Sequence, residues 1–328
     1  MISAVRDLDA WLAAADPAPW VVETSGSTGA PKRVLLSRAA VLSSVEASAR
    51  RVGGSGRWLL ALPASYVAGL QVVCRSLVAG HEPVVLDDHG SFAAATAALG
   101  DGPRFVSLVP TQLHRLLTTD ADPLRTFHTV LLGGGPADPS LLARAAAAGV
   151  RVVATYGSAE TAGGCVYDGY ALDGVAVALG SGGRIRIAGP TLFEGYDGDP
   201  ALTADVLVDG WFLTSDAGRL DDDGRLHVLG RVDDVVVTGG VNVPAPAVAA
   251  RLRAHPDVEA AEVLGVPDAE WGNRLVAFVV GDVPLVDLRD WVAAVHPRSW
   301  APRQAVAVDA IPLLPNGKPD RLSLRDLA

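Results

Sequence analysis

The chain has 328 residues, a net charge of −10 and 20% charged residues, and this acidic balance argues against a nucleic-acid-binding surface, which would need a basic face. Hydrophobic residues make up 49% of the chain, yet no apolar run approaches the roughly 20 residues that cross a bilayer, so membrane insertion is not expected. The N-terminus lacks a basic start followed by an apolar core, and Cys74 and Cys165 have no metal-like spacing, so we predict a cytoplasmic protein.

Between residues 20 and 160, short β-branched runs alternate with amphipathic stretches. The runs are WVVETSG (20–26), RVLLS (33–37), RWLLALP (57–63), EPVVLD (82–87), RFVSLVP (104–110), TVLLGGG (129–135) and RVVATYG (151–157). The stretches between them predict helices, one with Ser37 as its N-cap and others ending at Gly80 and Gly149. This alternation predicts an α/β fold, with βαβ units and mostly parallel sheet layers covered by helices.

Two changes of pattern follow along the chain. Residues 184–232 alternate around turn signals and predict a β-rich subdomain, and the residues after 232 mix helical and strand patterns. We therefore predict a large N-terminal domain, 1–232, that binds ATP and an acid, and a small mobile α+β domain, 233–328.

The stretch TSGSTGAPK, residues 24–32, brings hydroxyls, glycines and a lysine together in one loop after a strand. Exposed backbone N–H groups, hydroxyl donors and a cation together predict a phosphate cradle. The spacing differs from the P-loop, because only two residues separate Gly26 from Gly29. A Ser/Gly-rich surface turn is the alternative for this loop taken alone.

Lysine is rare in this chain. Lys32 and Lys318 are the two lysines among 27 basic residues, and both lie in loops bounded by glycine and proline. An ammonium is a compact point charge and a guanidinium a planar fork, so a position that keeps lysine indicates one charge approaching one oxygen.

Five motifs occur in a fixed order. They are TSGSTGAPK, LLGGGP (131–136), ATYGSAET (154–161), GWFLTSDAGRLDDDGRLHVLGRVDD (210–234) and LPNGKPDR (314–321). Together they resemble the adenylate-forming superfamily of acyl-CoA synthetases, peptide-synthetase adenylation domains and luciferases, from about residue 20 to the end of the chain.

The resemblance implies a nucleotide site with Mg²⁺. ATP phosphates would be held by Thr24, Ser25, Gly26, Ser27, Thr28, Gly29 and Lys32. Adenine would be held by Gly133, Gly134, Gly135, Pro136, Tyr156 and Gly157. Glu160 would be the catalytic metal ligand, since a hard carboxylate oxygen suits Mg²⁺, and Asp216 would bind the ribose hydroxyls beside Arg231. For Tyr156, an ordinary aromatic place in the core is the alternative.

The resemblance also implies a two-step reaction. Lys318 would be the catalytic cation that stabilises charge when a carboxylate attacks the α-phosphate of ATP. The small domain would then swing about a hinge at Asp233 and bring Gly239 and Gly240 to the site, where CoA passes. An ordinary glycine turn is the alternative for that pair.

The sequence departs from the family pattern at several points. Only 23 residues precede the phosphate loop, so part of the usual N-terminal scaffold is expected to be missing. Ala159, Ser215 and Arg33 replace the usual threonine and two glycines, and Ala159 puts one phosphate contact in doubt. No charged catalytic group is replaced, which favours an active enzyme over a nucleotide-binding regulatory protein that kept the fold.

Two stretches, LPASYVAGLQVVCRSLVAG and SLVPTQLHRLL, are similar to short o-succinylbenzoyl-CoA synthetases of menaquinone biosynthesis. That acid has a second carboxylate, for which Ser107, Gln112 and Arg115 are the predicted partners, with an exposed helix arginine as the alternative for Arg115. The alternatives for the whole chain are a ligase for another aryl or acyl acid and a free-standing adenylation protein that loads a carrier protein. A homodimer is the ordinary expectation for a soluble enzyme.

Overall fold

A computed structural model describes residues 2–24, 32–136, 138–312 and 319–328. They form two compact units. The first comprises Met1–Ala178, Arg186–Thr214 and Asp221–Leu226, and the second Leu179–Ile185, Ser215–Leu220 and His227–Ala328.

The helices and strands, in chain order, are as follows. The helices are α1 (Ile2–Ala13), α2 (Arg38–Val52), α3 (Val67–Val78), α4 (Phe92–Ala98), α5 (Pro110–Thr119), α6 (Asp122–Arg125), α7 (Pro139–Ala147), α8 (Pro200–Val206), α9 (Ala245–Arg253), α10 (Leu285–Ala293) and α11 (Arg321–Arg325). The strands are β1 (Trp20–Glu23), β2 (Arg33–Leu36), β3 (Arg57–Leu60), β4 (Val84–Val85), β5 (Arg104–Leu108), β6 (Thr129–Leu132), β7 (Val152–Ser158), β8 (Gly163–Tyr167), β9 (Tyr170–Ala171), β10 (Ala176–Leu179), β11 (Arg184–Ala188), β12 (Gly195–Tyr196), β13 (Leu207–Val208), β14 (Trp211–Leu220), β15 (Leu226–Arg231), β16 (Val235–Thr238), β17 (Val241–Pro244), β18 (Ala260–Asp268), β19 (Gly272–Val280) and β20 (Gln304–Ala307).

The first unit is built on a seven-stranded sheet with the order β4-β3-β5-β6-β7-β8-β9. The strands from β4 to β7 in this order run parallel, whereas β8 and β9 are antiparallel. The alternation of strands and helices in the sequence predicted such a sheet, and the structure confirms it. The carboxyl ends of β5, β6 and β7 consequently meet at one edge of the sheet, where open α/β sheets bind their ligands.

Both faces of this sheet are buried. Leu60 and Phe105 belong to one hydrophobic cluster, and Leu59 and Val106, their neighbours along β3 and β5, belong to another. Side chains alternate between faces along a strand, so one strand supplies both cores. Helices must therefore cover both faces, as is usual for parallel strands.

Local end signals place the helices. Ser37 caps α2 by accepting a hydrogen bond from Ala40 N, and Gly53 ends it with φ 88°. The predicted ends of α3 and α7 are also confirmed, because Gly80 and Gly149 follow them with φ of 77° and 73°. Glycine adopts this left-handed region without steric cost.

The first two strands depart from the parallel pattern. β1 and β2 are antiparallel, and β12 pairs with β2 on its other side. β1 and β2, which flank the predicted phosphate loop, are therefore adjacent strands, and β12 brings residues from far along the chain next to β2.

The β-rich region contains a five-stranded sheet with the order β10-β11-β14-β13, in which β15 also pairs with β14. It also contains a helix that the alternating pattern did not predict, α8, which Asp199 caps by accepting from Leu202 N at 2.9 Å. Pro200 stands at its first position, where the missing N–H is not needed.

The second unit carries the predicted α+β elements. β18 pairs antiparallel with β19, and β20 adds in parallel, while β16 and β17 form a hairpin. Val248 and Leu252 of α9 share a buried cluster with Leu288 and Val292 of α10.

Both cysteines are free and buried, and burial raises the pKa of each thiol to about 12. Among the described helices, none is both long and apolar enough to span a membrane.

Candidate active site

The two ends of the phosphate loop are held together. Thr24 N donates to Lys32 O at 2.9 Å, and Lys32 N donates to Thr24 Oγ1 at 3.4 Å. Of the other predicted phosphate-binding residues, Ser25, Gly26, Ser27, Thr28 and Gly29 lie outside the described residues.

Tyr196 connects the lysine of this loop to the predicted metal ligand. Lys32 Nζ lies 5.2 Å from the centre of the Tyr196 ring, and Tyr196 Oη donates to Glu160 Oε1 at 2.7 Å. The pairing of Tyr196 with Val34 brings the tyrosine to the loop. Lys32 and Glu160, although far apart in sequence, therefore both contact Tyr196, the lysine at its ring and the carboxylate at its hydroxyl.

The environment fixes the protonation of this tyrosine. Burial and the neighbouring Glu160 carboxylate raise the pKa of Tyr196 above its ordinary value. The phenol therefore stays a neutral donor at physiological pH and holds Glu160 in one orientation. Tyr196 was not among the predicted site residues, because nothing in its local stretch, FEGYDG, indicates that this tyrosine meets Glu160.

A cavity of about 130 Å³ lies at the carboxyl edge of the parallel strands. Its lining combines ends of β5, β6 and β7 with one face of α3. The polar lining side chains are Gln71, Arg75, Ser107, Thr155 and Tyr167.

Arg75 is a buried cation in this cavity. Only 6% of the residue is exposed to solvent. Nη2 donates to Tyr167 Oη at 3.2 Å, and the guanidinium stacks on Trp58 at 5.1 Å. Within the described ranges, no acidic side chain pairs with it, and its Nε has no hydrogen-bond partner.

Gln71 lies one helical turn before Arg75 on α3. Its Nε2 donates to Ala162 O at 2.7 Å, while its buried Oε1 has no partner in the described part of the chain. A buried charge without a counterion is costly, so this face of α3 favours an anionic ligand. The sequence signal was a charge inside the otherwise apolar helix pattern VAGLQVVCRSLV.

The glycine turn after β6 borders the same cavity. A Cβ on Gly133 would lie 2.6 Å from Thr155 Oγ1, and Gly134 has φ 76°. A Cβ on Gly157 would lie 2.1 Å from Gly163 O, so only glycine fits at that bulge. Gly135 and Pro136 follow in exposed positions, and Tyr156 is half-buried on β7.

The structure separates the three predicted acid-binding residues. Ser107 lines the smaller cavity, whereas Gln112 and Arg115 line a second cavity of about 380 Å³. Gln112 Oε1 accepts from Val109 N at 3.1 Å and its Nε2 donates to Ala61 O at 2.9 Å. The Gln112 amide thus caps α5, and Arg115 is exposed.

In the second unit, the predicted ribose ligands Asp216 and Arg231 are half-buried on the paired strands β14 and β15. The backbone of Asp233 lies in a short 3₁₀ turn, Val232–Asp234. Lys318 lies outside the described residues.

Gly239 and Gly240 turn the chain between β16 and β17 with φ of 55° and 76°. A Cβ on Gly239 would lie 2.5 Å from Trp271 Cε3, and Gly239 N donates to Trp271 O at 3.0 Å. The guanidinium of Arg303 covers the same indole at 3.4 Å. The glycine at 239 is therefore required for packing, whatever else passes this turn.

No group of three or more His, Cys, Asp or Glu side chains among the described residues could hold a metal ion. Magnesium bound with a nucleotide needs only one or two carboxylates, because phosphate oxygens and water complete its shell. Glu160, oriented by Tyr196, fits that requirement.

Comparisons with known proteins show which families and structures this chain resembles. A sequence model for AMP-binding enzymes matches residues 9–185, and one for the AMP-binding enzyme C-terminal domain matches residues 247–318. The probable 2-succinylbenzoate–CoA ligase of Mycobacterium tuberculosis is 44% identical over 323 residues, which cover 94% of this chain and 84% of that protein.

Two solved structures of the o-succinylbenzoate CoA synthetase of Bacillus subtilis are also similar. The complex with the acyl-adenylate intermediate has a TM-score of 0.78 and 28% identity, covering 94% of this chain and 69% of that chain. The complex with ATP and magnesium ion has a TM-score of 0.77 and 27% identity, covering 93% of this chain and 69% of that chain.

Proposed function

The chain belongs to the AMP-binding enzyme family, and we propose that it is an ATP-dependent, AMP-forming ligase that joins o-succinylbenzoate to CoA. ATP, Mg²⁺ and CoA are its cofactor and co-substrates, and its other partner is the small carboxylic acid. The observation that carries the choice of acid is the buried cation Arg75 in the cavity at the sheet edge.

The reaction has two half reactions. First, a carboxylate oxygen of the acid bonds to the α-phosphorus of ATP and the bond to the bridging oxygen breaks, which gives acyl-AMP and pyrophosphate. Next, the sulfur of CoA bonds to the acyl carbon, AMP leaves with the anhydride oxygen, and the thiol proton passes to solvent. Catalysis of the first step consists mainly of positioning and of stabilising negative charge.

The phosphate end of the site is assigned to Thr24, Lys32 and Glu160, with the loop residues Ser25–Gly29 between them. The hydrogen bonds between Thr24 and Lys32 support this assignment, because they fix the loop's ends. Mg²⁺ held at Glu160 would neutralise charge on the phosphate oxygens. Tyr196 keeps Glu160 oriented by its hydrogen bond.

The acid end is assigned to the cavity with Arg75 and Ser107. One carboxylate of o-succinylbenzoate is activated, and the other needs a cationic or hydrogen-bonding partner. Arg75 has an Nε–H without a partner among the described residues, and Ser107 is 7% exposed. We favour this pair over Gln112 and Arg115, which stay predictions from the sequence.

The remaining assignments stay proposals that rest on motif matches. Adenine is assigned to Gly133, Gly134, Gly135, Pro136, Tyr156 and Gly157, and ribose to Asp216 and Arg231. Asp233 is the proposed hinge between domains 1–232 and 233–328, and Gly239 and Gly240 the proposed CoA passage. A homodimer and a cytoplasmic location also stay predictions.

The products test the function. With o-succinylbenzoate, MgATP and CoA, we expect o-succinylbenzoyl-CoA, AMP and pyrophosphate in equal amounts. ADP as the nucleotide product would contradict the reaction type. Pyrophosphate release only with other aryl or fatty acids would leave the reaction but refute the acid, and transfer only to a carrier protein would favour a loading enzyme.

The role of Lys318 has a separate test. Lys318→Ala is expected to lower the adenylation rate by roughly 10²–10³-fold, the effect of deleting one electrostatic donor to a transition state. Thioester formation from supplied acyl-AMP and CoA should stay near the wild-type rate. Lys318→Arg should not restore adenylation fully, since a planar fork places its charge differently. Equal loss in both half reactions would refute this role.

A further inference from the structure

Arg321 links three separate segments of the second unit. Its guanidinium pairs with both carboxylate oxygens of Asp234, in the 3₁₀ turn that follows β15. Its Nε donates to Glu262 Oε1 on β18 at 3.3 Å. Arg321 also lies three residues after Lys318 in the sequence. One side chain therefore ties the chain that follows Lys318 to the 3₁₀ turn and to the sheet.

The described residues on either side of 313–318 are also bonded to each other. Asp320 N donates to Pro312 O at 2.8 Å, so the residues that flank 313–318 lie next to each other. The Asp320 carboxylate accepts from Leu322 N and Ser323 N, both at 3.2 Å, and so begins α11. These bonds fix the direction of the chain where it leaves the segment.

The ion pairs of Arg321 are partly desolvated. The side chains of Asp234 and Glu262 are 21% and 11% exposed. Hydrogen bonding to Asp234 raises the pKa of Arg321, and burial raises the pKa of Glu262 against the opposing charges of Arg321 and Arg253. Removing one partner from such a pair is more damaging than breaking an exposed one. Arg321 also uses three N–H groups in one plane, which a lysine does not have.

We propose that Arg321 is a positioning residue for Lys318, because it anchors the chain that follows Lys318 to Asp234 and β18, and that adenylation depends on this anchor. The proposal rests on the role proposed above for Lys318. Asp234 is the neighbour of the proposed hinge residue Asp233, so the anchor begins at the point where the small domain would turn. Lys318 and the turn Val232–Asp234 would then move together when the small domain turns.

Arg321→Ala tests this anchor. The adenylation rate should fall by roughly 10- to 100-fold, because small misplacement of a catalytic group has effects of this size. Thioester formation from supplied acyl-AMP and CoA should change by less than about twofold, since Lys318 does not act in that step. Arg321→Lys should recover adenylation only in part. Equal loss in both half reactions would mean a purely structural role and overturn the proposal.

A double variant separates this proposal from the one on which it rests. If Arg321 acts through Lys318, Lys318→Ala/Arg321→Ala should adenylate at the rate of Lys318→Ala alone. Additive losses would overturn the proposal. If Lys318→Ala itself leaves adenylation intact, the role of Lys318 fails; if Lys318→Ala loses it and Arg321→Ala does not, only the anchor fails.

Two matched controls exclude loss of folding. Arg325 is on the same helix and forms no ion pair within the described ranges, so Arg325→Ala should be neutral in both half reactions. Arg298→Ala breaks an exposed ion pair with Asp290, 2.6 Å long, in the same unit, and should also be neutral. If Arg321→Ala unfolds at a much lower temperature than these controls, Asp234→Asn provides the test, since it keeps the shape of the side chain. Asp234→Asn should lower the rate of adenylation and leave the rate of thioester formation unchanged. An unchanged adenylation rate would overturn the proposal.

Discussion

The two cavities at the carboxyl edge of the seven-stranded sheet hold their arginines differently. Arg75 is 6% exposed in a cavity of about 130 Å³ and has no acidic partner among the described residues. Arg115 is exposed beside a cavity of about 380 Å³ that Asp87 also lines. Water and salt screen an exposed charge, whereas a buried one keeps its field. The smaller cavity therefore favours the binding of an anion more strongly than the larger one does.

The first test of this comparison removes the buried charge. Arg75→Leu should raise the Michaelis constant for o-succinylbenzoate by about 10- to 150-fold, because a charge-assisted hydrogen bond of about 1.5–3 kcal/mol is lost. The constant for ATP should barely change. The measurement is steady-state pyrophosphate release with each substrate varied.

An analogue of o-succinylbenzoate that lacks the carboxylate that is not activated is the control for Arg75. Wild type and Arg75→Leu should use it equally well, since the group that Arg75 binds is missing. A difference that persists with this analogue would show that Arg75 shapes the cavity without binding the carboxylate.

Tyr196→Phe should affect the phosphate end of the site and leave the binding of the acid unchanged. It removes the hydroxyl that donates to Glu160, and we expect adenylation to fall about 10-fold, which is the lower end of the scale for one hydrogen bond to a charged group, about 1.5 kcal/mol. Half-maximal activity should need more Mg²⁺, and the Michaelis constant for the acid should stay unchanged. Tyr170→Phe, at a tyrosine that is 42% exposed, is the matched control. A changed Michaelis constant for o-succinylbenzoate would instead assign Tyr196 to the acid cavity.

Ser107→Ala should have a smaller effect on the acid. The hydroxyl is a neutral donor, and the loss of about 1 kcal/mol from its hydrogen bond corresponds to about a fivefold rise in the Michaelis constant for o-succinylbenzoate. The effect should be seen in the same assay as that of Arg75. If the constant for ATP rises equally, Ser107 is not selective for the acid.

Arg115→Leu should have the smallest effect, less than about twofold on any constant, as is usual for exposed substitutions. The sequence predicts this arginine as a partner of the second carboxylate, so the variant decides between the two cavities. A larger rise in the acid constant for Arg115→Leu than for Arg75→Leu would reverse the comparison.

The sequence alone determined the features that depend on neighbouring residues. The structure confirms three local signals of this kind. They are the cap at Ser37, the glycines after α3 and α7, and the alternation of strands and helices that gives a parallel sheet. The ordered motifs identified the family, because each motif is contiguous and its chemistry is carried by residue type.

Only the tertiary structure decided which distant side chains meet. The pairing of β12 with β2 brings Tyr196 into contact with both Lys32 and Glu160, and no local pattern encodes that pairing. Gln112 looked available for substrate, but its amide bonds two backbone groups instead. In the sequence, Arg75 is one charged residue in an otherwise apolar helix. Only the packing shows that its charge is buried without an acidic partner among the described residues, which favours an anionic ligand. Burial and partnership are properties of the folded chain, since they depend on contacts between segments that the sequence separates.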